Sequence, residues 1–137
     1  MVILALAMLG ASPAMPDAFL RLPPEVRNKA TVVVSGRYRT GRGPCELLPD
    51  GSSRWPLLRG FAPVTLYRGQ VRTDYIGVES PRLFGAKDDD PPLVEDREYL
   101  LVLRPSKAAK ARMQKREGSR HYRDALAAEE VLAIVEH

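Results

Sequence analysis

Basic side chains are concentrated in one stretch of the sequence, which runs from Arg104 to Arg123 and contains a single acid, Glu117. Guanidinium and ammonium groups bind phosphates, sulfates and anionic head groups, and each contact releases counterions. An exposed tryptophan is a common anchor at interfaces. These features predict a binding surface, whereas a solvated basic helix and a tryptophan that caps the core are the structural alternatives. The predicted binding residues are Trp55, Arg104, Lys107, Lys110, Arg112, Lys115, Arg116, Arg120 and Arg123.

One cysteine, Cys45, is the only thiol that could act as a nucleophile. A catalytic thiol needs a base, normally a histidine, within hydrogen-bond reach. His121 is far from Cys45 in the sequence, and no motif links the two residues. An inert thiol is therefore the favoured interpretation, and a small thiol-dependent enzyme is the weakest alternative.

Metal and cofactor chemistry has little support in the residue types. One cysteine and two histidines are too few for the usual zinc sites. The run Asp88-Asp89-Asp90 lacks the alternating acids and central glycine of a calcium loop, so a solvated loop is favoured. Phosphate-binding loops, the dinucleotide fingerprint and the nucleophile elbow do not occur in the sequence. We therefore expect no metal, no organic cofactor and no catalytic residue.

The elements that would position these residues are mainly strands. Tyr99–Leu103 is almost entirely apolar, which predicts a central strand with both faces buried. Pro63 inside the second strand predicts an edge or a bulge, and Gly69-Gln70 predicts a tight hairpin into the third strand. The acidic, proline-rich residues 79–98 predict a long loop. The four predicted strands are Ala30–Arg39, Phe61–Tyr67, Val71–Val78 and Tyr99–Leu103.

Helices are expected mainly after the last predicted strand. Lys107–Glu117 is a polar candidate with Ser106 as its N-cap. Ala125–Val135 has an apolar stripe at helical spacing, which predicts a helix that packs on the barrel or on the N-terminal segment. Before the first strand, residues 15–29 are irregular apart from a helical turn at Glu25–Lys29, with Pro24 at its first position.

The first 14 residues carry no charge and contain an apolar run, Val2–Leu9, followed by small residues. A short apolar core that precedes small residues is typical of a secretion signal, and it is too short for a permanent membrane span. Residues 1–14 are therefore a predicted signal peptide, and the mature chain would begin near Met15. A buried N-terminal strand or helix is the alternative.

Three segments carry a resemblance to the netrin-like domain: Ala30–Arg37 (ATVVVSGR), Val64–Gly69 (VTLYRG) and Glu98–Leu103 (EYLLVL). They resemble that family's first strand, its strand ending in Lys-Gly and its late Y-L-V-F strand. The family includes tissue inhibitors of metalloproteinases and exported bacterial relatives. The resemblance implies an OB-like, five-stranded Greek-key barrel closed by a helix. The inhibitors use an N-terminal cysteine that has no counterpart here, so no functional residue is carried over.

A chain of 137 residues has the length of one domain. Its net charge of +4 makes it only mildly basic. We expect a mainly β fold, an OB-like five-stranded Greek-key barrel with one or two C-terminal helices, formed by residues 30–137. The predicted function is a non-catalytic, exported (periplasmic or extracellular) binding or structural module. Its partner would be a protein or a polyanionic ligand, contacted through barrel loops and the basic stretch. OB-type nucleic-acid binding is the alternative.

Overall fold

The fold was analysed on a computed structural model, which describes residues 13–42, 45–54, 57–71, 73–78, 81–108, 111 and 129–137. Strands dominate this part of the chain, so the predicted mainly β class is confirmed. The elements in chain order are α1 (Asp17–Leu20), α2 (Pro24–Lys29), β1 (Val32–Arg42), β2 (Glu46–Leu47), β3 (Ser53–Arg54), β4 (Leu57–Arg68), β5 (Ile76–Gly77), β6 (Glu98–Pro105) and β7 (Glu129–Glu136).

Five of the strands form one curled antiparallel sheet, a half-barrel, in the order β5-β4-β1-β6-β7. The short strands β2 and β3 form a separate hairpin between β1 and β4. β1 lies in the middle of the sheet, and its length of 11 residues lets it pair with β4 and β6 along most of its course. The sheet therefore joins residues that lie far apart in the sequence.

Both faces of the sheet are buried at its centre, because apolar residues of β1 and β6 alternate between two cores. On the inner face, Val34, Phe61 and Leu101 belong to a cluster that the segment after β5 helps to cover. On the outer face, Val33 and Leu100 pack beneath the N-terminal segment. All five residues from Tyr99 to Leu103 are at most 2% exposed, which confirms the predicted two-sided strand.

Pro63 lies at an irregular point of β4, as predicted. The register of β4 against β1 shifts between Ser35, which pairs with Thr65, and Gly36, which pairs with Pro63. Val64 is the extra residue, so the strand bulges there. β5 pairs with β4 only at Gly60 and Phe61, which leaves the proline without a neighbour on that side among the described residues.

The predicted tight hairpin at Gly69-Gln70 is wrong. Among the described residues of the expected strand Val71–Val78, only Ile76–Gly77 forms a strand, and Ile76 pairs with Phe61, far from the end of β4. Gly60 explains why β5 pairs with β4 at this place. A Cβ at Gly60 would collide with the carbonyl oxygen of Ile76 and the ring of Tyr75. The absence of a side chain lets the two backbones approach, and the described residues between Gly69 and Tyr75 form no strand.

The predicted C-terminal helix Ala125–Val135 is also wrong where the structure describes it, because Glu129–Glu136 is a strand. β7 pairs with β6 in a register that places Ile134 opposite Leu101. Ile134 enters the inner core and Ala133 the outer core, so both faces of β7 bury apolar groups. A helix would have buried one stripe and left the outer edge of β6 unpaired. Residues 125–128 lie outside the described part.

The N-terminal segment takes the place that the C-terminal helix was expected to fill. Phe19 in α1 and Leu22 after it are 3% and 6% exposed and pack on the outer face of the sheet. The predicted helical turn is confirmed as α2, with Pro24 at its first position. None of the helices in the described ranges has the length and apolar character of a membrane span.

The other predicted helix, Lys107–Glu117, is described only at its start. Lys107, Ala108 and Ala111 have helical backbone, and the remaining residues of that prediction lie outside the described part of the chain. Described residues of the predicted loop 79–98 form turns up to Arg97 and join β6 at Glu98, as expected.

Candidate functional site

The basic stretch is a long connection whose two ends meet at one place in the sheet. β6 ends at Pro105 and β7 begins at Glu129, and these two residues are paired partners on neighbouring strands. The chain therefore leaves the sheet after Pro105 and rejoins it at Glu129, at the same point of the sheet. Residues 106–128 connect the two strands. Because the strands on both sides are bonded to the sheet, the ends of this connection, which we call the basic connection, are fixed to a rigid support.

The positive charge of the protein lies in the basic connection. It carries seven Lys and Arg residues and two acids, a net charge of +5, whereas the whole chain has +4. The remainder of the chain is thus close to neutral, with a net charge of −1. A field of one sign on one segment attracts anions and raises their rate of encounter.

Arg104 and Lys107 are the predicted binding residues that the structure describes. Lys107 is exposed at the start of the basic connection. Arg104 stands opposite Glu130 on the neighbouring strand. Its Nε donates a hydrogen bond to Glu130 Oε2 at 2.7 Å, and its Nη2 forms an ion pair with the same oxygen at 2.7 Å. The remaining predicted contacts lie outside the described residues: Trp55, Lys110, Arg112, Lys115, Arg116, Arg120 and Arg123.

The loop of residues 81–97 is fastened to β1 by polar contacts. Glu95 accepts hydrogen bonds from the backbone N–H and the hydroxyl of Thr40, and these bonds, the backbone bond first, lower the pKa of Glu95. Arg39 Nη1 lies 3.0 Å from Asp96 Oδ1. In addition, the backbone N–H of Phe84 donates to Ile134 O of β7. The loop is thereby attached to the central strand β1 and to the edge strand β7.

The acidic run in this loop is used for local turn contacts. Asp88 pairs with Arg82 at 3.0 Å, and Asp90 accepts a hydrogen bond from the backbone N–H of Lys87. Within the described ranges, no group of three or more His, Cys, Asp or Glu residues is arranged to hold a metal ion. These contacts are consistent with the solvated loop that the sequence favours.

The structure describes only one of the two residues of the proposed thiol chemistry, Cys45. Cys45 is exposed in the segment between β1 and β2. His121 lies outside the described residues, so the structure gives no geometry for a Cys45–His121 pair. The thiol-dependent enzyme therefore stays a prediction from the sequence.

One polar network was not anticipated from the sequence. The Nε2 atom of His137 lies 3.1 Å from the hydroxyl of Tyr67 and 3.3 Å from Glu98 Oε2. Burial, and secondarily the charge of Glu98, raise the pKa of Tyr67. The fully buried hydroxyl of Ser35 accepts a hydrogen bond from the backbone N–H of Thr65 beneath it.

This network links the end of β7 to β4 across two intervening strands, so its role in the described structure is to hold the sheet together. Strand alternation places Ser35 on the outer face, and that signal was available in the sequence. The placement of His137 was not, because the expected helix gave its neighbours the wrong periodicity.

No protein-family model, no curated protein and no solved structure matches this chain in comparisons of sequence and fold. The function is therefore inferred from the residues and their geometry alone.

Proposed function

We propose that this protein is a non-catalytic, exported module that binds an anionic polymer through the basic connection between β6 and β7. One observation carries the proposal: a net charge of +5 lies on a segment whose two ends meet at the paired residues Pro105 and Glu129. Sulfate and phosphate groups are the chemistry that clustered Lys and Arg residues bind, through charge-assisted hydrogen bonds.

The rest of the chain suits the role of a support. Its central strands are buried on both faces, and its charge is nearly balanced. A support of this kind holds the ends of the basic connection without competing for the ligand. Because the binding energy is electrostatic, we expect it to fall steeply as salt is added.

Export is proposed from the apolar N-terminus, and the described residues next to it are compatible with cleavage. Pro13 and Ala14 are exposed, whereas Met15 is half-buried against the outer core. Removal of residues 1–14 would thus leave the packed segment intact. Mass spectrometry of the protein from the exported fraction of a bacterial host tests this. A mature chain that begins near Met15 supports export, and a chain that keeps its first residues contradicts it.

An OB-like Greek key is proposed as the finer fold. In a Greek key, three consecutive strands are followed by a fourth that returns beside the first. The order β6-β1-β4-β5 has this pattern if the small β2–β3 hairpin is treated as an insertion. The hydrogen bond from Phe84 to Ile134 favours closure on the β7 side. Slow hydrogen exchange at the Phe84 amide would support closure, and exchange as fast as in an unfolded chain would contradict it.

Binding to immobilised heparin at increasing salt tests the proposed function. In one variant, Lys107, Lys110 and Lys115 are replaced by glutamine. In the matched control, Lys29, Arg37 and Lys87, which are exposed outside the basic connection, are replaced instead. Both variants lose three positive charges, so the comparison tests whether the position of the charge matters.

We expect the first variant to elute at lower salt than the wild type and the control to elute close to it. Equal losses in the two variants would show that only net charge matters. If the wild type elutes with a neutral protein of similar size, the proposal fails. Tighter binding of single-stranded DNA than of heparin at equal salt would favour the nucleic-acid alternative.

A further inference from the structure

The base of the basic connection contains an anion that belongs to the protein itself. Arg104 is the last described basic residue before the connection begins, and Glu130 is its cross-strand partner after the connection ends. A single oxygen of the Glu130 carboxylate accepts a hydrogen bond from Nε at 2.7 Å and forms an ion pair with Nη2 at 2.7 Å. The side chains are 38% and 40% exposed, so both are within reach of a ligand in solvent.

We propose that Glu130 acts as an internal competitor, which holds Arg104 out of the polyanion contact and makes it a positioning residue. The inference rests on the proposed polyanion binding. A guanidinium binds carboxylate, sulfate and phosphate through the same planar set of N–H groups. Glu130 takes the Nε–H and lies 2.7 Å from Nη2, so a ligand oxygen cannot use that edge of the guanidinium. The carboxylate charge opposes a second anion at the remaining N–H groups, and the pair instead fixes the root of the connection.

The competitor acts locally. At 0.15 M salt, charges interact over a Debye length of about 8 Å. Glu136, the other described ion-paired acid of β7, contacts Arg97 at 3.9 Å near the far end of the strand. The two acids are six positions apart, which is about 20 Å along a strand. Glu136 therefore offers a matched control: the same charge on the same strand, more than two Debye lengths from Glu130.

The experiment compares Glu130→Gln, Glu136→Gln, Arg104→Gln and the double variant Arg104→Gln/Glu130→Gln on heparin across a salt series. We expect Glu130→Gln to free Arg104, so that the slope of log affinity against log salt steepens by about one and the affinity rises roughly threefold to tenfold at low salt. Glu136→Gln and Arg104→Gln should keep the wild-type slope, as should the double variant. Unchanged circular dichroism and melting temperature exclude loss of fold.

Two results would overturn the inference. One is an equal gain in Glu130→Gln and Glu136→Gln, which would mean that net charge alone acts. The other is a slope that weakens by about one in Arg104→Gln, which would mean that Arg104 already contacts the ligand. Either result leaves the proposed function standing if the wild type binds heparin. If neither the wild type nor Glu130→Gln is retained, both proposals fail.

Discussion

At the scale of single residues, the carboxylate of Glu95 holds the acidic loop to β1 and should respond to pH. Hydrogen bonds from Thr40 lower its pKa from the ordinary value of 4.5. Because the folded pKa is the lower one, the stabilisation is fully present above about pH 4.5 and is lost as the pH falls through the folded value. Acidification should therefore release this contact.

Replacement of Thr40 by alanine tests the contact. The variant loses the hydroxyl donor and keeps the backbone donor, so we expect the pKa of Glu95 to return part of the way to its ordinary value. An NMR titration of the carboxyl groups measures this. Asp50, whose pKa is lowered by bonds from Ser52, is the internal control and should not move. An unchanged Glu95 titration would show that the hydroxyl contributes nothing.

Gly60 is the residue at which β5 approaches β4 closely enough to pair, and a side chain there should destabilise the fold. A Cβ at this position would meet the Ile76 carbonyl and lie 2.7 Å from the Tyr75 ring. We expect Gly60→Ala to lower the free energy of unfolding by about 1–3 kcal/mol, since the backbone of β5 must shift. Gly41→Ala is the control, because nothing lies within 4 Å of its Cβ. Urea unfolding of both variants compares them, and equal stabilities would contradict the close approach.

At the scale of elements, β6 is the strand on which both cores depend. Leu101 is fully buried between β1 and β7, so Leu101→Asp would place an unpaired charge in an apolar core and cost several kcal/mol. Val64→Asp, on the exposed bulge of β4, makes the same chemical change at a residue that is 40% exposed. Thermal melts should show a large loss for the first variant and a small one for the second. A Leu101→Asp protein that melts at the wild-type temperature would refute the assignment.

The elements differ in how far sequence could predict them. β6 was predictable because the apolar run Tyr99–Leu103 is too short for a helix and is closed at once by Arg104-Pro105. β7 was not, because Val131–Val135 is apolar at both helical and alternating positions. This segment forms a strand because it pairs with the outer edge of β6, and that edge exists only in the tertiary structure.

The candidate site was likewise predictable only in part. Its charge concentration was visible in the sequence. The partnership of Arg104 with Glu130 was not, because a cross-strand pair depends on the register of two strands that are far apart in the chain. The sequence assigned Glu130 to the first half of a helix, where an acid is favoured by the helix dipole. In the sheet, the same acid faces the arginine that was expected to bind the ligand.

At the scale of the whole molecule, the N-terminal segment closes the outer core and marks where the folded unit can be shortened. Phe19 and Leu22 cover the outer face, and the Arg68 guanidinium lies 5.1 Å from the centre of the Phe19 ring. The exposed residues Pro13 and Ala14 precede this packing. We therefore expect a chain that begins at Met15 to match the full chain in stability.

A chain that begins at Pro23 should behave differently, because it loses both Phe19 and Leu22. Burial of each such side chain contributes about 1.5–3 kcal/mol, so the free energy of unfolding should fall by about 3–6 kcal/mol. The exposed outer core should also promote association, since it is a contiguous apolar surface. Urea unfolding and gel filtration measure the two effects. Phe19→Ala in the Met15 chain separates the loss of packing from the loss of chain, and we expect it to reproduce about half of the destabilisation. Equal stability of the Pro23 and Met15 chains would mean that α1 is not part of the core.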